Sequence, residues 1–165
     1  MLEAPADATP AKARNYAMGL LTGRDYSRAE LATKLNKRFD NHSAIDEVLQ
    51  RLADEGLQSD ERFAEAFVRS GILRGHGLTR IRQDIRQKGI ADELVGQTLD
   101  AADVDWIDLA REVAQRKFGQ RQAADQRETA KRMRFLQYRG FNYDQIKYAL
   151  QGCSDDPVND LGFID

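Results

Sequence analysis

The sequence predicts an all-α fold of three tandem three-helix repeats that form a curved, elongated array. Proline is confined to the ends of the chain, at Pro5, Pro10 and Pro157, so only glycine interrupts helix formation from residue 11 to 156. The 165 residues are 41% hydrophobic and 32% charged, which is typical of a soluble chain with a modest core. A third observation is a spacing of about 50 residues between equivalent apolar positions, which indicates internal repeats.

Helix starts follow from capping patterns. Ser27 and Glu30 form a capping box, in which each side chain accepts a hydrogen bond from the backbone amide of the other residue. Looser starts are predicted at Asp125 with Glu128, Asn142 with Gln145, Ser43 with Asp46, and Ser59 with Asp60 and Glu61.

Helix ends coincide with glycines, which are Gly23, Gly56, Gly89, Gly119, Gly140 and Gly152. Two of them directly follow a cation, in Lys88-Gly89 and Arg139-Gly140. This pair suits a helix C-terminus, because glycine adopts the left-handed turn and the cation faces the negative end of the dipole. Gly71 lies inside a predicted helix, and we expect it to bend that helix or end it early.

The predicted helices repeat in sets of three. Equivalent apolar positions are Leu35, Ile85 and Leu136; Ile45, Val95 and Ile146; and Leu49, Leu99 and Leu150. Helix one covers residues 12–22, 60–74 and 106–118, helix two 28–38, 78–88 and 126–139, and helix three 43–55, 92–102 and 142–151. The expected organisation is a disordered tail at 1–10, repeats at 11–57, 58–103 and 104–152, and an acidic tail at 153–165. Since so small a unit buries little apolar surface by itself, successive units should pack against each other.

No catalytic or metal-binding pattern is visible. The two histidines, His42 and His76, and the single cysteine, Cys153, are not at metal-ligand spacing. We expect Cys153 to be inert, since two nearby aspartates oppose a thiolate. The segment Gly75–Gly77 imitates a dinucleotide-binding loop, but no strand precedes it and the sixth position is not glycine. We therefore predict a protein that is not an enzyme and needs no cofactor or metal.

Charge is distributed in bands. The net charge of −2 argues against binding through bulk positive charge. Locally, however, residues 62–90 carry seven Lys/Arg against two Asp/Glu, and residues 111–139 carry nine against three. Basic binding faces and ordinary solvated helix surfaces both fit this distribution. With no apolar run near the roughly 18 residues that cross a bilayer and no N-terminal signal pattern, we expect a cytoplasmic protein.

The second helix of the third repeat should carry a cationic ridge. On a helical wheel, Ala130, Met133 and Leu136 share the face that should meet the core. The residues predicted to lie away from it, at spacings of four, three and four, are Arg127, Lys131, Arg134 and Tyr138. Three cations beside an aromatic ring suit phosphates and stacked bases, although solubilising charge is the alternative.

The middle repeat has a similar design. Leu78, Ile81 and Ile85 should face inward, with Arg82 and Arg86 on one flank and Arg80 on the other. In the preceding helix, the expected core stripe is Phe63, Ala64, Phe67 and Val68.

Three segments of the chain together form a distinctive pattern. The first is D-E-R-F-A…F-V-R-S followed by R-G-H-G…R-I-R-Q-D-I-R-Q-K-G-I, in residues 60–90. The second is L-L-T-G-R-D-Y-S-R-A-E-L-A-T-K-L at 20–35, and the third is R-M-R-F-L-Q-Y-R-G-F-N-Y at 132–143. These segments resemble the RecX family of modulators of the RecA recombinase, and the resemblance covers about residues 14–152. The chain departs from the family pattern at Gly71, usually arginine, at His76, usually aromatic, and at Leu78, commonly proline.

The resemblance implies a partner and an activity. RecX-like proteins bind the RecA filament on single-stranded DNA and lower its ATPase, strand-exchange and co-protease activities, the last of which triggers the SOS response. The partner would then be the RecA filament, with single-stranded DNA as a second contact, and we expect a monomer. The candidate contacts are Arg74, Arg80, Arg82, Arg86, Lys88, Arg127, Lys131, Arg132, Arg134 and Arg139, with Tyr138 beside them. Whether each meets RecA or DNA is left open.

Two other functions remain as alternatives. A stand-alone helix-turn-helix DNA binder would use residues 27–38 or 78–88 as its reading helix, but neither segment has the Asn/Gln/Arg cluster that reads base edges. A structural helical adaptor with an unrelated partner is the second alternative.

Overall fold

The computed structural model describes residues 7–151, which form nine helices and no strand. The helices are α1 (Thr9–Gly23), α2 (Arg28–Arg38), α3 (Ile45–Asp54), α4 (Asp60–Leu73), α5 (Leu78–Gln87), α6 (Asp92–Ala102), α7 (Trp106–Phe118), α8 (Gln126–Tyr138) and α9 (Tyr143–Gln151). The predicted all-helical order of three sets of three is confirmed. Cys153, Gly152 and the predicted acidic tail lie outside the described residues. None of the helices in the described range is long and apolar enough to span a bilayer.

Most of the predicted helix starts are confirmed. Ser27 caps α2 through the predicted box with Glu30, and the Asp125 carboxylate accepts from the Glu128 amide at 2.8 Å. At the start of α9, Asn142 and Gln145 bond reciprocally, at 2.8 and 2.9 Å. Each of these side chains satisfies a backbone amide that has no partner within the first helical turn.

Two starts differ from prediction. The predicted Ser43 cap is wrong: α3 has Ala44 at its N-cap position, and the Ala44 amide donates to Nδ1 of His42 at 3.0 Å. The first helix begins at Thr9 rather than near residue 12, because Pro10 fits the first turn, where no amide donor is required. Its Thr9 amide donates to the Asp7 carboxylate at 3.0 Å.

The expectation that Gly71 ends its helix early is wrong. The helix α4 continues to Leu73 and closes with Gly75 at φ +76, where the amides of Gly75 and His76 donate to the carbonyls of Ile72 and Gly71. A Cβ at position 71 would lie 2.8 Å from Cγ1 of Ile81. The glycine therefore allows a close approach by this isoleucine and does not break the helix.

The chain divides into two compact units. Unit 1 contains the described residues up to Val68 together with Asp84–Ala101, and unit 2 contains Arg69–Gln83 together with residues 102–151. The helices α4 and α5 therefore contribute residues to both units. Each unit has a helical core of its own.

In unit 1, α1, α2 and α3 pack together. Their buried core residues are Ala13, Ala17, Leu31, Leu35, Ile45, Val48, Leu49 and Leu52. Phe63, Ala64 and Val68 of the predicted α4 stripe are also buried, and Phe67 is partly buried. In α5, Ile85 is fully buried, as predicted.

In unit 2, α7 packs against both α8 and α9. The buried core residues are Ala110, Val113, Ala114, Leu136, Phe141, Ile146 and Ala149. Ile81 is also fully buried and Leu78 is half-buried, in agreement with their predicted inward orientation.

Candidate partner-binding surface

In unit 1, the start of α2 meets the end of α5, and we call this contact the first joint. The Ser27 side chain is fully buried; its hydroxyl donates to the Lys88 carbonyl at 2.7 Å and accepts from the Glu30 amide at 3.1 Å. The Ala29 Cβ approaches Gly89 so closely that a Cβ on the glycine would lie 2.4 Å from it. The serine therefore caps α2 and satisfies a carbonyl at the end of α5.

Charges surround the first joint. Glu30 pairs with Arg24 at 2.9 Å and lies 3.9 Å from the Lys88 ammonium. Burial of the Glu30 carboxylate raises its pKa, but the hydrogen bonds from Arg24 and the Ser27 amide and the nearby Lys88 charge together hold the pKa below its ordinary 4.5. The carboxylate is thus ionised at neutral pH.

The D-E-R-F segment also serves the architecture of unit 1. The Asp60 carboxylate accepts from the Arg28 amide at 2.8 Å and from the buried Gln58 side chain at 2.9 Å. Arg62 donates to the Asp25 carboxylate at 3.1 Å and to the carbonyls of Gly56 and Leu57. This role was not predicted from the sequence, in which the only available signal was an acid and a base at the first turn of a helix.

In unit 2, the start of α5 meets the end of α8, and we call this contact the second joint. The Gly77 amide donates to the Arg139 carbonyl at 2.8 Å, and the Thr79 amide donates to the Gly140 carbonyl at 3.1 Å. Amide donors at one helix start are thus satisfied by carbonyls at another helix end, which also brings opposite ends of two helix dipoles together.

The second joint leaves no space for side chains on its glycines. A Cβ on Gly77 would lie 2.4 Å from the carbonyl carbon and oxygen of Gly140. A Cβ on Gly140, which has φ +101, would lie 2.3 Å from Cβ of Arg80. The two backbones can approach this closely only because both positions are glycine.

The inward face of α8 differs from the predicted one. Ala130, expected in the core, is exposed, and Arg132 is buried with 6% exposure. The Arg132 guanidinium donates to the Arg121 carbonyl at 2.7 Å and to Glu128 at 2.8 Å, and lies over the Phe118 ring at 5.1 Å. The hydrogen bond from Arg132 is the main reason why the pKa of the Glu128 carboxylate lies below its ordinary value.

The outward face of α8 carries all four residues of the predicted ridge, here called the α8 ridge: Arg127, Lys131, Arg134 and Tyr138. All four are exposed, and they fall within about 60° of arc on a helix of 3.6 residues per turn. In the described part of the chain, no carboxylate pairs within 4.0 Å with any of the three cations. Tyr138 is 79% exposed, which is unusual for a ring of this size.

Three further candidates lie near the end of α8. Arg80 lies 5.7 Å from the Tyr138 ring, and Arg139 donates to the Arg74 carbonyl at 2.8 Å and covers the Phe135 ring at 5.1 Å. Arg74 is exposed, whereas Arg80 and Arg139 are half-buried. Together with Arg82 on α5, these residues, Arg132 and the α8 ridge place nine of the eleven candidates in unit 2.

The other candidates lie on or just after α5. Arg82 is exposed and belongs to unit 2. In unit 1, Arg86 is exposed but pairs with Asp92 at 2.8 Å, and Lys88 is half-buried near Glu30. The three cations of the α8 ridge are therefore more available to a partner than Arg86, Lys88 or Arg132.

Over residues 7–151, no group of three or more His, Cys, Asp or Glu side chains is arranged to hold a metal ion. Gly75 closes α4, and Gly77 permits the close approach at the second joint. The spacing of the two glycines is therefore explained without a bound dinucleotide.

Models of the three domains of the RecX family match the chain in order. The model described as RecX, first three-helix domain, matches residues 13–52, the second 59–99 and the third 103–150. A relative named Regulatory protein RecX from Halorhodospira halophila is 43% identical over 151 residues, which cover 92% of this chain and 94% of that protein. A protein of the same name from Chromohalobacter salexigens is 44% identical over 144 residues, which cover 87% and 92%.

Solved structures show the same fold. The crystal structure of RecX from Lactobacillus salivarius matches with a TM-score of 0.75 at 24% identity, covering 88% of this chain and 96% of that one.

Proposed function

The chain belongs to the RecX family, and from this premise we propose that it is a negative modulator of the RecA recombinase. It would bind the RecA filament on single-stranded DNA and lower its ATPase, strand-exchange and co-protease activities. The observation that carries the proposal is the match to all three domains in order, with relatives named as regulatory proteins over most of their length. That name favours a regulatory role over an enzymatic one.

The α8 ridge is the best-placed surface for contact with the filament. Three exposed cations with no carboxylate partner in the described chain can meet anionic groups without first breaking an ion pair. The Tyr138 ring at the end of the ridge adds a face for stacking or apolar contact. Contacts from several repeats would add up through effective concentration, so each one can be modest.

The joints disfavour a stand-alone helix-turn-helix reader. Such a protein inserts the N-terminal residues of its recognition helix into the major groove. In this chain the Ser27 cap of α2 is fully buried against the end of α5, and the Gly77 cap of α5 is covered by the end of α8. The predicted reading helices thus have occupied N-termini.

Addition of the protein should lower RecA-dependent ATP hydrolysis on single-stranded DNA. The paired substitutions Lys131→Glu and Arg134→Glu should raise the concentration needed for half-inhibition by about tenfold or more, since each reversed contact is worth about 1 kcal/mol. The matched control is Lys34→Glu with Lys37→Glu, which makes the same charge change on exposed positions of α2 and should change inhibition by less than about threefold.

The outcomes separate the rival functions. Absence of inhibition at large molar excess would remove the proposal. Steeply salt-dependent binding to DNA without RecA, at unchanged ATPase, would favour the DNA binder. If the paired substitutions Lys131→Glu and Arg134→Glu leave inhibition unchanged, the filament contact lies elsewhere.

A further inference from the structure

The α8 ridge has a complementary segment within the same chain. Residues 152–165, with the sequence G-C-S-D-D-P-V-N-D-L-G-F-I-D, contain four aspartates and no lysine or arginine. Without these four carboxylates the net charge of the chain would be +2 instead of −2. No carboxylate in residues 7–151 lies within 4.0 Å of the three ridge cations, and this acidic segment directly follows the repeat that carries them.

We infer that residues 152–165 bind the α8 ridge of the same molecule and compete with its anionic partner. The regulatory meaning of this contact rests on the proposed function, whereas the contact itself does not. An acidic segment on the ridge would place carboxylates where the partner must place its own anionic groups.

The length of the segment suits this contact. It follows directly from α9, which ends at Gln151 and packs against α8 within unit 2. Fourteen residues can reach at most about 50 Å, which exceeds the roughly 16 Å length of the ridge along its helix. Because the segment is tethered within the same chain, its effective concentration at the ridge is high and even a weak contact would be populated.

The apolar residues of the segment fit the same surface. Leu161, Phe163 and Ile164 lie between Asp160 and Asp165, so apolar and acidic groups alternate in short order. The ridge ends in Tyr138, whose ring is 79% exposed and can be covered by an aliphatic or aromatic side chain. A partner with charge alone would leave this ring exposed to water.

The contact can be measured directly in the full-length chain. A nitroxide label is placed on Gly162→Cys in a Cys153→Ser background, which removes the single native cysteine and changes none of the described residues. In ¹⁵N-labelled protein at low salt, the amides of residues 127–138 should lose more than half of their intensity, while those of α2 should not. The loss should disappear at about 0.5 M salt, where the screening length falls to a few ångströms.

Two variants of the labelled protein serve as controls. The loss should also disappear when Asp155, Asp156, Asp160 and Asp165 are all changed to Asn, and when Lys131→Glu and Arg134→Glu are combined. Unaffected α8 amides at low salt would overturn the inference, and so would broadening spread equally over all basic helices. Equal broadening in a mixture in which the nitroxide and the ¹⁵N label are on different molecules would show that the contact forms between copies, and it would overturn the inference as well.

The regulatory consequence has its own readout. The full-length variant with all four aspartates changed to Asn should inhibit RecA-dependent ATPase at about three- to tenfold lower concentration than the native chain. In a protein that already carries Lys131→Glu and Arg134→Glu, the same four changes should have no effect. If the native chain does not inhibit RecA but the α8 amides are broadened, the proposed function fails and the contact stands; without broadening, the inference fails whatever the ATPase shows.

Discussion

The two joints use equivalent places in successive repeats, but one is closed by side chains and the other by backbone. At the first joint, the Ser27 hydroxyl bridges to the Lys88 carbonyl, and Glu30 lies close to two cations. At the second joint, the amides of Gly77 and Thr79 bond directly to carbonyls at the end of α8. The repeat therefore preserves the meeting of a helix start with a helix end, while the chemistry that closes it is free to change.

The difference predicts how each joint tolerates substitution. A side-chain joint can lose a hydroxyl and still pack, because the remaining atoms keep their separation. A joint made of backbone hydrogen bonds does not tolerate an added side chain, since any Cβ on Gly77 would overlap with Gly140.

The largest effect is expected for Gly77→Ala. Its Cβ would lie 2.4 Å from backbone atoms of Gly140, which cannot rotate away, so the joint must open and two hydrogen bonds must lengthen. We expect the free energy of unfolding, measured with urea, to fall by about 3 kcal/mol. The matched control is Gly96→Ala in α6, where nothing lies within 4 Å of the new methyl group; it should be neutral or raise stability by up to about 1 kcal/mol. Equal stability of the two variants would contradict the description of the second joint.

A smaller loss is expected for Ser27→Ala. The substitution removes the cap of α2 and leaves the Lys88 carbonyl without its donor, so stability should fall by about 2 kcal/mol. The control is Asp125→Ala, which removes an exposed N-cap that bonds only within α8 and should cost about 1 kcal/mol. The difference between the two losses measures the joint apart from the cap, and a difference of zero would mean that the first joint contributes nothing.

The helical architecture was accessible from sequence for local reasons. Capping boxes, cation–glycine pairs and the spacing of Leu35, Ile85 and Leu136 are all short-range or periodic signals, and each indicates an element without knowledge of its neighbours. The α8 ridge follows from the same periodicity, which is why its four residues were found together on the exposed face.

The remaining features depend on contacts between distant segments. A helical wheel places alanine inside and arginine outside, but Arg132 is buried because Arg121, Glu128 and Phe118 satisfy its guanidinium. Arg134, two positions later, is exposed; Arg132 differs from it in lying one turn before the buried Leu136, so position and not residue type was the available signal. Likewise, glycine at 77 could be interpreted as part of a turn, while its contact with Gly140 requires the fold.

The smallest effect is a difference in acid sensitivity between the joints. The pKa of Glu30 is held below its ordinary 4.5, so this group stabilises the fold fully above that value and loses its contribution as pH falls through the lower folded pKa. Glu30→Gln keeps the hydrogen-bonding shape of the capping box but removes the charge. Native protein should therefore exceed this variant in stability at neutral pH by at most about 1 kcal/mol, and the difference should shrink as the solution is acidified below pH 4.5.

The second joint supplies the control for this measurement. Its contacts on Gly77 and Thr79 are backbone hydrogen bonds, and backbone amides do not titrate in this range. The loss caused by Gly77→Ala should therefore be the same at neutral and acid pH, when both are measured by urea unfolding. If the stability difference between native protein and Glu30→Gln stays constant on acidification, Arg24 and Lys88 do not stabilise the carboxylate. If the stability lost in Gly77→Ala changes with pH, a titrating group also contributes to the second joint.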